Sequence, residues 1–259
     1  MLAELRRESI AHSVNTSGPV TTEGLARQFE VSLETIRRDL LALDELGLIQ
    51  RVHGGAIPVS TISSEPNYSD RLDHAAAEKM EIGRSLAEML PRDGTVFLDL
   101  GTTIDAIVAS IPKDYTGTIF TTSLRAAISL SSNHGVKVIT SGGVIRHDEL
   151  SVSGPMTSQF LSGFFPDLAV ISSGCIDIDH GITDYNYDDI AIKQLLLQNS
   201  QTSIVVADST KFGKVAPYHV CDLADPTRIL TTTKLPPDYV EKILLRGGEV
   251  SLAGRDTAN

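Results

Sequence analysis

Residues 31–56 run VSLETIRRDLLALDELGLIQRVHGGA. The first half is patterned as a helix. Ile36, Leu40, Leu43 and, less closely placed, Leu46 fall on one face, Ser32 stands at the N-cap, and Glu34 lies in the first turn, where it complements the helix dipole. Gly47 closes the helix, and 48–52 and 56–57 are predicted as short strands around a His53-Gly54-Gly55 turn. Upstream, Leu2, Leu5, Ile10 and Val14 recur at roughly helical spacing until Gly18-Pro19, and Thr22 is placed to cap a second helix that turns Leu25, Ala26 and Phe29 inward. Helix, turn, helix and a two-stranded wing form the winged variant of the helix-turn-helix. In it the second helix of the pair enters the major groove with its amino-terminal residues at base edges. Ser32, Glu34, Thr35 and Arg38 stand where bases would be read, and Arg37 and Arg51 suit phosphate.

The charge of the whole chain argues the other way. Its 259 residues carry 22 Lys+Arg against 33 Asp+Glu, a formal net charge of -11, whereas DNA-backbone binding rests on cations neutralising phosphates. Counted by segment, residues 1–56 hold six Arg, no Lys and eight acids, a net of -2, and the remainder carries -9. Most of the acid thus lies outside the DNA-binding stretch. A polar, Ser-rich passage, IPVSTISSEPNYSD, comes after Gly54-Gly55 and reads as a linker, with Asp70 to Asp73 solvated within it. The expected division is a DNA-binding domain over 1–57, a linker over 58–74 and an effector-binding domain over 75–259. Two distant cysteines, Cys175 and Cys221, and no CxxC spacing argue against a disulfide framework or a zinc site and fit a reducing cytoplasm. No apolar run of about 18 residues and no apolar leader occurs, so neither membrane span nor secretion signal is expected.

From residue 75 on, short apolar runs alternate with helical patterns, the sign of an α/β domain with a mostly parallel sheet. Strands are predicted at 95–100, 118–121, 136–140, 168–172, 203–207 and 228–231, and helices at 76–90, 104–110, 124–131, 156–162, 188–198 and 237–245. The residues at the strand ends are more informative than the strands. Gly101-Thr102-Thr103, Thr122-Ser123, Ser141-Gly142-Gly143, Ser173-Gly174 and Asp208-Ser209-Thr210-Lys211 each stand just beyond a strand's carboxyl end, where open α/β sheets bind ligands. Helix amino termini, close-approach glycines and hydroxyl donors suit an anion. Lys211 and Arg146 are the cationic candidates, and Asp99, Asp177 and Asp208 are acceptors for sugar hydroxyls. Tyr185 and Tyr187 are candidates to stack on a sugar, with plain packing the commoner role of loop aromatics.

The stretch 31–56, with its TIRRDL core and closing RVHGGA, resembles the amino-terminal domain of the DeoR family of bacterial transcriptional regulators. The remainder resembles the family's sensor domain, related to ribose-5-phosphate isomerase and coenzyme A transferases. It does so through LDLGTT (98–103), TTS (121–123), SGGVIR (141–146), SVSG (151–154) and ADSTKFG (207–213), in the family's order. Where the family usually has Thr-Asn-Ser and a glutamate-rich helix start, this chain has Thr122 and Asp188-Asp189. The resemblance implies double-stranded operator DNA on Ser32, Thr35, Arg37, Arg38, Arg51 and His53. It also implies a phosphorylated sugar or related metabolite at the strand-end loops, changing operator affinity.

The expectation is therefore a repressor of a carbohydrate-metabolism operon, acting as a homodimer or homotetramer without cofactor, metal or membrane. Its effector site would comprise Asp99, Gly101, Thr102, Thr103, Thr122, Ser123, Gly142, Gly143, Arg146, Gly174, Asp208 and Lys211. The rival is a sugar-phosphate isomerase-like enzyme with an appended DNA-binding domain. Isomerisation needs a carboxylate poised as general base, and nothing in the sequence sets Asp99, Asp177 or Asp208 apart as one. Cys175 has no base that the sequence can place beside it, so no catalytic residue is assigned.

Overall fold

In the computed structural model Ile10, Val14, Leu25, Ile36, Leu40, Leu43 and Ile49 close on one another as a small core of their own. The structure describes residues 3–45, 48–52, 54–57 and 65–254, and the chain divides into two units, 1–61 and 62–259. The first unit consists of α1 (Ala3–Ser17), β1 (Val20–Thr21), α2 (Thr22–Phe29), α3 (Leu33–Glu45), β2 (Gln50–Val52) and β3 (Gly55–Ile57).

Helices and wing match the sequence expectation, with three differences. Leu5, expected inside, is 53% exposed; its neighbour Arg6 is buried and its Nε lies 2.6 Å from Asp39 Oδ2, tying α1 to α3. The cap of α2 is Thr21 and not Thr22, its hydroxyl accepting from Gly24 N at 3.0 Å. The wing also has a third strand, β1, too short to show a period, which pairs Val20 with Ala56 and Thr21 with Gly55. This pairing explains the glycine: a Cβ at Gly55 would meet the Val20 carbonyl oxygen at 2.0 Å. Leu2, Leu46, Gly47 and His53 lie outside the described residues.

The second unit opens with α4 (Tyr68–Asp73) and α5 (Ala76–Met89), then alternates β4 (Thr95–Leu98), α6 (Thr102–Ser110), β5 (Gly117–Thr121), α7 (Leu124–Leu130) and β6 (Val136–Ile139). A hairpin, β7 (Val144–Arg146) and β8 (Ser151–Ser153), leads to α8 (Pro155–Leu161) and β9 (Leu168–Ser172). Next come β10 (Cys175–Asp177), β11 (Gly181–Asp184), α9 (Tyr187–Asn199), β12 (Thr202–Val206) and a 3-10 turn at Ser209–Lys211. The unit ends with β13 (Tyr218–Cys221), β14 (Arg228–Thr231), α10 (Pro237–Leu245) and β15 (Val250–Leu252).

Seven of these strands form one parallel sheet in the order β15-β14-β12-β9-β4-β5-β6. All six predicted strands are in it; β15, with three half-buried residues, is added at the edge. Both faces are covered. Val96 and Leu98 of β4 pack with Ile82, Leu86, Ile104 and Ile107, while Phe97 points to the other side with Leu161, Ile190, Leu196 and Ile243. Burial on both faces is why these strands are near-continuous apolar runs. From β4 the chain moves outward to β5 and β6, then returns to place β9 on the other side of β4. The switch point of the sheet is therefore the gap between the carboxyl ends of β4 and β9. Part of the stretch expected to be linker belongs to this unit: α4 covers 68–73, and although Asp70 and Asp73 are solvated, the Arg71 side chain is 13% exposed.

Candidate functional site

In the first unit α3 buries Ile36, Leu40 and Leu43 and so must turn Glu34, Arg37, Arg38 and Leu41 to solvent. Ser32 caps it, its hydroxyl accepting from Thr35 N at 3.1 Å and bonding Thr35 Oγ1 at 2.8 Å. Glu34 lies within 3.8 Å of Arg37 Nη1 and 3.5 Å of Arg38 Nε, so one exposed carboxylate gathers both guanidinium groups. Arg51 is exposed on the wing, its backbone N–H held by Asp44 at 2.9 Å. Asp39 points the opposite way, into the pair with Arg6, and puts no charge on this surface.

In the second unit the switch point opens into a crevice lined by Gly101–Thr103 at the amino end of α6, Ser172–Gly174 after β9, and Lys211. Gly101, at φ +102°, leads into α6 without a side-chain cap, leaving the first N–H groups of that helix uncapped by a side chain. Lys211 is held there by the 3-10 turn, whose N-cap Asp208 accepts from Thr210 N at 3.0 Å. Glu78 fixes the same loop, accepting from Ser209 N at 3.0 Å and Thr232 Oγ1 at 2.7 Å.

The crevice and the residues behind it also hold charges that, Asp99 and Arg146 apart, the sequence did not single out. Lys193 on α9 is 2% exposed and lies 2.6 Å from Asp184 Oδ2 and 3.0 Å from Asp99 Oδ2. Burial alone would depress the Lys193 ammonium, but Asp184 and Asp99 outweigh it and raise its pKa; burial likewise pushes Asp184 up, and Lys193 brings it below the usual carboxylate range. A second group joins Glu65, Arg71, Arg146, Glu149 and Asp189. Glu65 takes Arg71 Nη1 at 3.2 Å on Oε1 and Arg146 Nη1 at 3.1 Å on Oε2; Arg146 Nη2 reaches Asp189 at 3.1 Å; Arg71 Nη2 donates to the buried Glu149. Lys79, also buried, donates to the carbonyls of Arg71 and His74 and so fixes the end of α4; burial brings its pKa down to about 8. Polar side-chain atoms on Ser173, Asp189 and Arg146 are buried without hydrogen-bond partners, and such groups in a cleft fit a binding site.

The model of the DeoR-like helix-turn-helix domain matches residues 6–61, and that of the DeoR C terminal sensor domain matches residues 74–233. The chain belongs to the DeoR family. Over 257 residues it is 33% identical to the glycerol-3-phosphate regulon repressor of Haemophilus influenzae, covering 96% of this chain and all of the relative. It is 32% identical over 240 residues to the glycerol-3-phosphate regulon repressor of Escherichia coli, covering 92% of this chain and 94% of the relative. To the HTH-type transcriptional regulator GolR of Listeria innocua it is 27% identical over 248 residues, covering 96% and 98%. Among solved structures, ribose 5 phosphate isomerase A from Neisseria gonorrhoeae is similar over 52% of this chain and 53% of its own, with a TM-score of 0.39 and 12% identity.

This DeoR-family chain brings Gly101, Thr102, Thr103, Gly174 and Lys211 of the sequence-predicted residues onto the crevice lining, with Arg146 joined to it through Glu65 and Asp189. Asp99 lies beneath, not on it: its Oδ2 accepts from Ser172 N at 2.9 Å and Ser172 Oγ at 2.7 Å and pins the two strand ends together. Asp208 is off the lining: its Oδ1 accepts within its own turn from Thr210 N at 3.0 Å, and its Oδ2 is buried without a hydrogen-bond partner. Thr122 and Ser123 are off the lining; the Thr122 carbonyl accepts from Val152 N at 2.8 Å, and Ser123 caps α7. Gly142 and Gly143 are off the lining: the Gly142 carbonyl accepts from Thr157 Oγ1 at 2.9 Å, and Gly143 serves packing, since a Cβ on it would meet Thr157 Oγ1 at 2.4 Å and the Ser153 carbonyl oxygen at 2.6 Å. Asp177 accepts from Asp179 N and His180 N in a tight turn. Tyr185 lines the crevice, whereas Tyr187 is 70% exposed and rests edge-on against Tyr218.

Sequence reasoning missed Glu65, Arg71, Glu149, Asp184, Asp189 and Lys193. Asp189 and Lys193 have the spacing of an ordinary surface i,i+4 ion pair. The usable signal was that α9 carries both among inward-facing Ile190, Ile192 and Leu196, leaving too little outer face for them.

Proposed function

We propose that this chain is a transcriptional repressor of a carbohydrate-metabolism operon, released from its operator when a phosphorylated small molecule occupies the switch-point crevice. The observation that carries the reading is the company the crevice keeps. A glycine-led helix amino terminus, Lys211 and Arg71 face one space for an anion, with the unpartnered Oδ1 of Asp189 beside them for a hydroxyl, in a chain whose other unit presents Arg37 and Arg38 on a helix-turn-helix. Relatives named as glycerol-3-phosphate regulon repressors support it. Paired half-sites about 34 Å apart call for a homodimer or homotetramer, and two buried free cysteines suit the cytoplasm. The effector site comprises Gly101–Thr103, Gly174, Arg71, Arg146 and Lys211, and His53 joins Arg51 at the DNA. No turnover is assigned: Asp184 is engaged by Lys193, Asp189 by Arg146, and Glu65 by two arginines, so each is committed to a cation and none is placed as a general base.

A panel of sugar phosphates with their unphosphorylated forms tests this by thermal shift. A ligand of the folded state raises stability by mass action, so at least one phosphorylated compound should raise Tm while its parent sugar does not. Equal shifts from both members of every pair, or none, would overturn the phosphate-binding reading.

A further inference from the structure

The Glu65 carboxylate occupies the place of an anion. Its two oxygens each take one guanidinium, from Arg71 and Arg146, in a crevice that also presents the amino end of α6. Arg71 stands beside that helix start, with Nη1 3.8 Å from where a Cβ on Gly101 would lie. A carboxylate between two guanidinium groups at a helix amino terminus is the arrangement by which proteins bind phosphate. An incoming anion therefore meets cations already taken.

Of the carboxylates around this pair, Glu65 is the one free to leave. Glu149 and Asp189 are each 4% exposed and Asp184 is locked by Lys193 inside β11 and α9, whereas Glu65 is half-buried in the stretch that enters the unit ahead of α4. Burial raises the Glu65 pKa against the pull of Arg71 and Arg146, with Glu149 and Asp184 adding repulsion. The backbone of the next residue is tied to the same arginine, since Arg71 Nε donates to the Pro66 carbonyl at 3.0 Å. Proline at 66 limits residue 65 to extended conformations.

Resting on the effector reading above, we propose that Glu65 is a built-in competitor for the phosphate site, and that an anionic effector acts by displacing it from Arg71 and Arg146 and releasing residues 65–66. The effector's differential contact is then named: it binds the state in which Glu65 is out and is excluded from the state in which Glu65 is in. If the latter outnumbers the former about ten to one, apparent affinity is lowered about tenfold, and removing the carboxylate restores it.

The test uses the full chain with inorganic phosphate as probe, with binding measured by calorimetry. Glu65→Gln and, in case that variant folds poorly, Glu65→Ala should bind phosphate about tenfold tighter than the unaltered chain. In the unaltered chain, hydrogen exchange over residues 65–74 should rise when phosphate is added. Lys211→Ala serves as the pocket control. If the Glu65 variants bind no tighter while Lys211→Ala weakens binding, or if phosphate slows exchange over 65–74, Glu65 is no competitor and the effector reading stands without it. If no protein binds phosphate, or Lys211→Ala has no effect, the anion crevice itself is wrong and this proposal falls with it.

Discussion

At Asp189, burial sets the chemistry. Burial lifts its carboxyl to about 7, and repulsion from Asp99 and Asp184 adds to this against the pull of Arg146 and Lys193. Between 3.8 and about 7 the folded chain keeps a proton that the unfolded chain has released, so this group removes stability as pH rises through that window. Asp189→Asn takes the slope away. The variant's Tm minus that of the unaltered chain should become more positive from about pH 5 to about pH 8, and a difference independent of pH would refute the assignment. Of the groups around it the sequence offered Arg146 and Asp99, but not Asp189 itself, Asp184 or Lys193. Arg71 looked like linker, and Asp189 and Lys193 looked like a surface pair. Gly101 to Thr103 and Lys211 were legible, because glycine, hydroxyl and cation directly after a strand already carry the chemistry of an anion site.

Among the elements, α3 shows how a single periodicity assigns two faces. Ile36, Leu40 and Leu43 must go inward, and that alone places Arg37 and Arg38 outside, beside Glu34. Such exposed pairs contribute little to stability, so either arginine can exchange its carboxylate for DNA. Arg38→Ala should weaken operator binding by about 1–3 kcal/mol and relax sequence choice at one base pair, if it makes a bidentate base contact. Mobility-shift titrations against the operator and single-base variants would show this, and unchanged selectivity would reduce Arg38 to a phosphate contact or less. What α3 did not disclose was Asp39, whose partner Arg6 lies 33 residues earlier in the chain. The third wing strand was hidden for a related reason: two residues have no period, and only the Val20–Gly55 approach reveals why Gly55 carries no side chain.

For the whole molecule, the net charge of -11 divides into -2 on residues 1–56 and -9 on the rest, so the DNA-binding unit works with few cations and depends on where they stand. Lys211 belongs to the other unit. Lys211→Ala should leave operator affinity unchanged and remove the response to a sugar phosphate, measured as operator release in an effector titration. Release at the unaltered effector concentration would place the phosphate elsewhere. The sequence by itself determined the helix-turn-helix and six strands of the parallel sheet, because periodicity and turn chemistry are local. Only the tertiary structure decided the site. The crevice exists because β9 returns beside β4, which joins Asp99 to Ser172 across 73 residues, and the β7 hairpin brings Arg146 to Glu65 across 81, separations over which no spacing rule operates.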